Sequence, residues 1–247
     1  MSSTNQIPPP DAVRVWRGFR AESMTPADFF SRLGSVFIPA TVEMQVEAGL
    51  FAYLPTVPAA LPGKPPGVPD ETAILFWESQ DTYQEGFERL AVRTYTLTHA
   101  AVYTQESRAD FPLRFTGQLE FDQPYYLVDA AADWMRGGVL HVVGGRDPGL
   151  APEDFRSEVT QALEGVQKDE TLQGAIICIS ADYLVYWQLG GSEDLSTLKS
   201  CCGWSAAFQP QRTSLPAGLW DIWSGMTVAS GDSFNMQFTR RSEQGRE

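Results

Sequence analysis

The sequence predicts an α+β protein made of two tandem β-α-β-β-α-β units. Three observations predict it. The segment AVRVWRGFRAESMTPADFF (12–30) aligns without a gap on GVLHVVGGRDPGLAPEDFR (138–156) at an offset of 126 residues. Two strand-like runs follow in each half, the second ending in tryptophan at Trp77 and Trp187. Each half then closes on a further strand-like run, 125–128 and 234–238.

The first element of each half is a β-rich run that ends at Gly18 or Gly144. A helix start follows. Thr25-Pro26-Ala27-Asp28 supplies an N-cap hydroxyl, a proline at the first helical position and an acid at the third; Ala151-Pro152-Glu153-Asp154 repeats this without the hydroxyl. Apolar residues recur at helical spacing as Phe29, Leu33 and Phe37, and as Phe155, Val159 and Leu163.

Second strands are expected at 49–53 and 174–178, third strands at 72–77 and 182–187. The offset falls to 110 at the third strands because the first half carries an extra loop, 55–69. Its six prolines and two glycines exclude helix and central strand. A second helix is expected from about Asp81, with Tyr83, Phe87, Leu90, Thr94 and Leu97 on one stripe. Its counterpart after Ser192 is shorter and ends near Gly203, and fourth strands are expected at 115–119 and 223–228. A sheet with helices on one face needs cover on the other, and two such sheets packed face to face cover each other.

These landmarks divide the chain into a flexible arm (1–11), a first ferredoxin-like unit (12–128), a connector (129–137), a second ferredoxin-like unit (138–240) and a charged tail (241–247). Eighteen basic against 31 acidic residues give a net charge of −13. That sign disfavours nucleic acid and anionic membrane surfaces as partners. No apolar run reaches the length of a membrane span, and the N-terminal residues lack the pattern of a signal peptide. Three cysteines, two of them adjacent, make a poor disulfide framework and point to a reducing cytoplasm.

At Trp77-Glu78-Ser79 and Tyr83 the chain resembles the dimeric α+β barrel superfamily: a tryptophan closes the third strand, a serine follows two residues on, and an aromatic opens the next helix. In the second half Trp187 is in place, while the serine and aromatic positions drift to Ser192 and Leu195. That superfamily includes antibiotic-biosynthesis monooxygenases, polyketide cyclases, heme-degrading monooxygenases and, as two-copy chains, the chlorite dismutase-like proteins. The resemblance implies an intramolecular dimeric α+β barrel. It also implies that a chain holding both units is a monomer or a homodimer.

Only two histidines are available for chemistry. His141, on the first strand of the second half, shares a face with Val139 and Val143 and is the candidate general base if that face looks toward the helices; a core histidine is the other reading. His99 lies on the long helix of the first half, where heme-degrading relatives carry their iron ligand. On a continuous helix it falls about 160° from Tyr83, so unless the helix bends or ends first it faces away from the apolar stripe. The second half lacks the helical histidine that the chlorite dismutase pattern requires, and no zinc or phosphate-loop motif occurs. No heme, other cofactor or metal is expected.

The remaining candidates are an inward Arg17 and aromatics of the kind that line cofactor-free pockets of the superfamily. These are Trp16, Tyr53, Trp77, Tyr95 and Tyr103 in the first half and Trp187 in the second, with Tyr183, Tyr186 and Trp204 beside it. The resulting expectation is a cofactor-independent monooxygenase or cyclase/isomerase acting on a flat hydrophobic or aromatic small molecule, with Arg17 and His141 catalytic. A non-catalytic binding or structural protein of the same fold is the alternative, and a heme monooxygenase the third. The first half, with the fuller motif, is the preferred place for a site.

Overall fold

The computed structural model describes residues 12–45, 48–128, 132, 134, 139–209, 211–212 and 234–239. In chain order the elements are β1 (Val13–Gly18), α1 (Pro26–Arg32), α2 (Ile38–Gln45), β2 (Leu50–Val57), β3 (Glu71–Trp77), α3 (Gln80–Gly86), α4 (Leu90–Thr98), β4 (Arg108–Asp110), β5 (Leu113–Arg114) and β6 (Pro124–Tyr126). There follow β7 (Val139–Arg146), α5 (Pro152–Gln167), β8 (Leu172–Ile179), β9 (Tyr183–Gly190), α6 (Ser196–Ser200), β10 (Cys202–Phe208), β11 (Gln211–Arg212) and β12 (Phe234–Thr239). They form two six-stranded mixed sheets, ordered β11-β12-β2-β3-β1-β4 and β10-β7-β9-β8-β6-β5. The fold is therefore mixed α+β. No helix among the described residues is long and apolar enough to cross a membrane.

Two compact units result, and each takes strands from distant parts of the chain. The first holds the described residues of 1–62, 70–109 and 210–247; the second holds 63–69 and those of 110–209. The strand that closes the first half, β6, thus pairs with β8 in the second sheet, and β12 pairs with β2 in the first. Linear boundaries at 128 and 138 miss this exchange, which only the backbone ladders reveal. The arm 1–11, the tail 241–247 and the strand expected at 223–228 lie outside the described residues, as does most of the connector 129–137, of which Ala132 and Trp134 are described and buried.

The first helix starts as its sequence requires: Thr25 Oγ1 accepts from the Asp28 amide at 3.1 Å, with Pro26 at the first helical position. After a π-helical turn over Leu33–Phe37 the chain continues as α2. Phe29, Leu33, Phe37 and Ile38 pack with Leu50, Tyr53, Ala73, Trp77, Val92 and Tyr95 into the core of the first unit. In the second unit Phe155, Val159 and Leu163 of α5 pack on Val142, Ile177, Leu184 and Tyr186.

Four expectations are corrected. Strand β2 runs through Pro55 to Val57 although it is flanked on both sides, so the proline-rich loop begins only at Pro58. The ladder to β12 passes from Tyr53 to Thr56, which spares Pro55 a donor it lacks. The second helix of the first half is two helices. Gly86 lies against Ala48, where a Cβ would meet the alanine Cβ at 2.3 Å, and the chain leaves the helix through i→i−3 bonds at Phe87, Glu88 and Arg89. Arg89 is extended (ψ 135°) and α4 restarts in a new phase, burying Val92 and Tyr95 while Leu90 and Leu97 are 80% and 79% exposed.

No strand forms at 115–119, where Gly117 takes φ +102°; the fourth strands are β4 and β10, whose sequences lack a clear alternation. The tryptophans Trp77 and Trp187, finally, do not correspond. Gly18 pairs with Glu71 and Gly144 with Leu184, so the halves differ by 113 residues here rather than 110. A slip of three, being odd, moves a side chain to the opposite face of its sheet.

Candidate functional site

Strand alternation in the first sheet decides which side chains meet. Arg14, Trp16 and Gly18 on β1 stand opposite Leu75, Ala73 and Glu71 on β3, and all six share the face covered by the helices. Between that face and α2 and α4 lies a cavity of about 340 Å³, which belongs wholly to the first unit. Trp16, Tyr53, Trp77, Tyr95 and Tyr103, all singled out from sequence, line it. Tyr83 and Phe87 add aromatic wall, and Arg14 stacks over the Tyr83 ring at 4.6 Å.

Glu71 is the polar centre of the wall, 1% exposed. Tyr53 Oη–H donates to its Oε1 at 2.7 Å, and Trp16 Nε1–H (2.7 Å) and Tyr103 Oη–H (2.5 Å) donate to Oε2. Burial raises its carboxyl above the ordinary carboxylate range, against the downward pull of these three donors. Burial and the neighbouring Glu71 charge raise Tyr53 and Tyr103 in turn, so both stay protonated donors. On the opposite wall Thr41 Oγ1–H donates to the Phe37 carbonyl at 2.9 Å, which leaves Thr41 Oγ1 to accept from the Tyr95 hydroxyl.

His99 follows α4 in a short 3₁₀ turn and lines the same cavity. The break at 87–89 places it on the stripe of Val92 and Tyr95, correcting the orientation expected on a continuous helix. Its ring lies among Trp16 (5.6 Å between centroids), Phe37 (5.0 Å), Tyr95 (4.7 Å) and Tyr103 (5.6 Å). Nδ1 is 3.3 Å from the Tyr95 carbonyl and 3.2 Å from that of Thr96. Carbonyls only accept, so Nδ1 carries the proton and Nε2 the lone pair. Burial lowers the imidazole below its ordinary value near 6.5 despite these bonds, which keeps it neutral at pH 7.

The other sequence candidates lie elsewhere. Arg17 neighbours Trp16 on the strand and therefore faces the opposite side, fully buried, with Nη1–H donating to the Val15 carbonyl at 2.8 Å. His141 and Trp187 belong to the second unit and do not line the cavity. His141 is opposite Trp187 in the ladder and stacks on it at 4.3 Å and 6°, on the face away from α5, since Val142 and Tyr186 occupy the helix side. Its Nδ1–H donates to the Tyr186 carbonyl at 2.8 Å, and burial lowers its pKa to about 3. This is a satisfied core histidine.

Sequence reasoning missed Glu71, Gln45, Arg14 and His99 as cavity residues. For Glu71 a signal existed: it alternates with Ala73, Leu75 and Trp77, and starting the strand at Thr72 hid it. In the second unit the positions that match Trp16, Glu71 and Tyr53 in register hold Val142, Leu184 and Ala175, so the Glu71 cluster is not repeated among its described residues.

No family model matches the chain, and no curated protein matches its sequence. Among solved structures the chain is similar to a candidate monooxygenase from Lactobacillus acidophilus, at 6% identity and TM-score 0.33, over 80% of this chain and 91% of that one. It is similar to an anthrone oxidase-like protein at 8% identity and TM-score 0.35, over 93% and 90%. A DypB variant from Rhodococcus jostii in complex with heme matches at 13% identity and TM-score 0.31, over 98% and 96%. At such scores the resemblance carries no activity across.

Proposed function

We propose that the chain is a tandem pair of ferredoxin-like units in which the first is a cofactor-independent enzyme, a monooxygenase or a cyclase/isomerase, acting on a flat aromatic small molecule. The observation that carries this reading is the aromatic cavity of about 340 Å³ with a neutral His99 on its wall. The shared element order and the matching strand order of the two sheets support the tandem reading.

His99 Nε2 is the base. It takes a proton from an acidic phenol O–H or a ring-activated C–H. The imidazolium that forms keeps its Nδ1–H on the Tyr95 and Thr96 carbonyls, which offset part of the burial that disfavours its charge. In the oxygenase case the substrate anion is the reductant and dioxygen the oxidant. A C–O bond forms to a hydroperoxide, the proton returns from His99, and loss of water leaves a ketone: R₂CH₂ + O₂ → R₂CO + H₂O. In the isomerase or cyclase case the anion is reprotonated, or closes a ring, without oxygen.

The test is a screen of hydroxylated polycyclic aromatics for thermal stabilisation, since a ligand of the folded state raises apparent stability by mass action. Oxygen uptake is then followed with the best binder, in wild type and in His99→Ala. The proposal expects binding in both and turnover lost in the variant. Turnover unchanged in His99→Ala sinks the assigned chemistry. A heme-type absorption band on titration with hemin, lost in His99→Ala, would replace it by the heme reading.

A further inference from the structure

Among the described residues, the cavity wall carries a buried acceptor, Gln45 Oε1, and a buried donor, Trp77 Nε1, that make no hydrogen bond; of the two, Gln45 can accept from a ligand hydroxyl. Gln45 ends α2 and is 7% exposed, and its Oε1 accepts no hydrogen bond from the described residues. It lies four residues, one helical turn, beyond Thr41, so the two side chains share a face of α2 and both line the cavity. Thr41 is satisfied by the Phe37 carbonyl and the Tyr95 hydroxyl. The Gln45 carbonyl oxygen is not, and a buried acceptor left without a donor is destabilising. Such a cost is retained where a ligand removes it.

We infer that Gln45 binds a second hydroxyl of the substrate, and hence that the cavity is specific for an aromatic bearing at least two separated hydroxyl groups. This rests on the cavity being the ligand site, as proposed above. His99 Nε2 accepts from one hydroxyl, the one that is deprotonated. Gln45, one turn of α2 beyond the Thr41 that bonds the Tyr95 hydroxyl, holds the other. A hydroxyl both donates and accepts, so it satisfies the glutamine amide whichever way the amide is turned. Trp16, Tyr83, Phe87 and Tyr103 supply aromatic wall for the ring faces, while Arg14, Glu71, Thr96, Ser107 and Arg108 add polar groups to the same wall. Gln45 touches no reacting atom in this arrangement; it is a specificity-determining residue, and an analogue lacking the second hydroxyl is rejected because the amide is left unpaired again.

The experiment measures Kd for naphthalene, a naphthol and a naphthalenediol with hydroxyls on different rings, through quenching of their fluorescence, in wild type and Gln45→Leu. The expected result is that the second hydroxyl tightens binding to wild type about tenfold and to Gln45→Leu by less than about twofold, while naphthalene binds the variant as well as or better than wild type. Gln45→Met, with a more adaptable apolar chain, repeats the measurement if the leucine variant unfolds. If the diol binds wild type no better than the naphthol, or if both variants keep the wild-type preference, the inference about Gln45 is overturned and the cavity reading stands. If none of the three binds wild type, the cavity reading falls and this inference with it.

Discussion

Gly18 stands directly across the ladder from Glu71, and the space its missing side chain leaves is filled by the donors that Glu71 needs. A Cβ at Gly18 would lie 2.8 Å from Trp16 Nε1 and 2.8 Å from Tyr103 Cε1. The glycine is therefore required by close approach of two rings.

Gly18→Ala accordingly displaces Trp16 and Tyr103 from the carboxylate. Overpacking of this kind costs about 1–3 kcal/mol. Urea unfolding of the purified variant should show that loss, accompanied by weaker ligand binding, since both rings line the cavity. A variant as stable as wild type would mean that the two rings shift at no cost.

Tyr53→Phe and Tyr103→Phe each remove one donor from Glu71 at constant shape. Each is expected to cost about 1–3 kcal/mol, because the buried carboxylate is left partly unpaired. Their effects should be non-additive, since both act on one carboxyl group. A double-mutant cycle in urea measures this directly.

His141 makes stability depend on pH. Its folded pKa of about 3 lies below the ordinary value near 6.5, so folding favours the neutral ring. The contribution is full above the unfolded value and is lost as pH falls from there toward about 3. The slope is about 1.4 kcal/mol per pH unit, or about 2 kcal/mol between pH 7 and pH 5. His141→Phe preserves a ring on Trp187 and should flatten that part of the curve, as unfolding at the two pH values would show.

His99 predicts the acid limb of activity. For the base proposed above, with a pKa depressed by burial, turnover should be constant at neutral pH and fall only below the ordinary value near 6.5. His99→Ala should lower turnover by about 10²–10⁴-fold while binding persists. A pH profile of kcat/KM checks the limb, and an unchanged profile in the variant would assign it to another group.

The aromatic wall was legible because Trp16, Tyr53 and Trp77 sit on strands whose alternation is read from the sequence. Arg17 was not, for the same reason applied one residue on: a neighbour of Trp16 must face away from it. The wheel turns His99 away only on a continuous helix, and the contact of Gly86 with Ala48 that ends the first helix is tertiary, so the sequence does not show that the break occurs. The Trp77–Trp187 correspondence failed because two similar strand ends align by composition, whereas the ladders opposite Gly18 and Gly144 set the register. Exchange of β6 and β12 between the sheets is a long-range pairing that no local pattern encodes.

The central claim is that the cavity of the first unit is the ligand site, and Leu75→Trp, which fills it from the strand opposite Arg14, tests that claim most directly. The measurement is the thermal shift given by a naphthalenediol in wild type, in Leu75→Trp and in His141→Phe. The account predicts a shift in wild type and in His141→Phe and none in a folded Leu75→Trp. An equal shift in all three would contradict it.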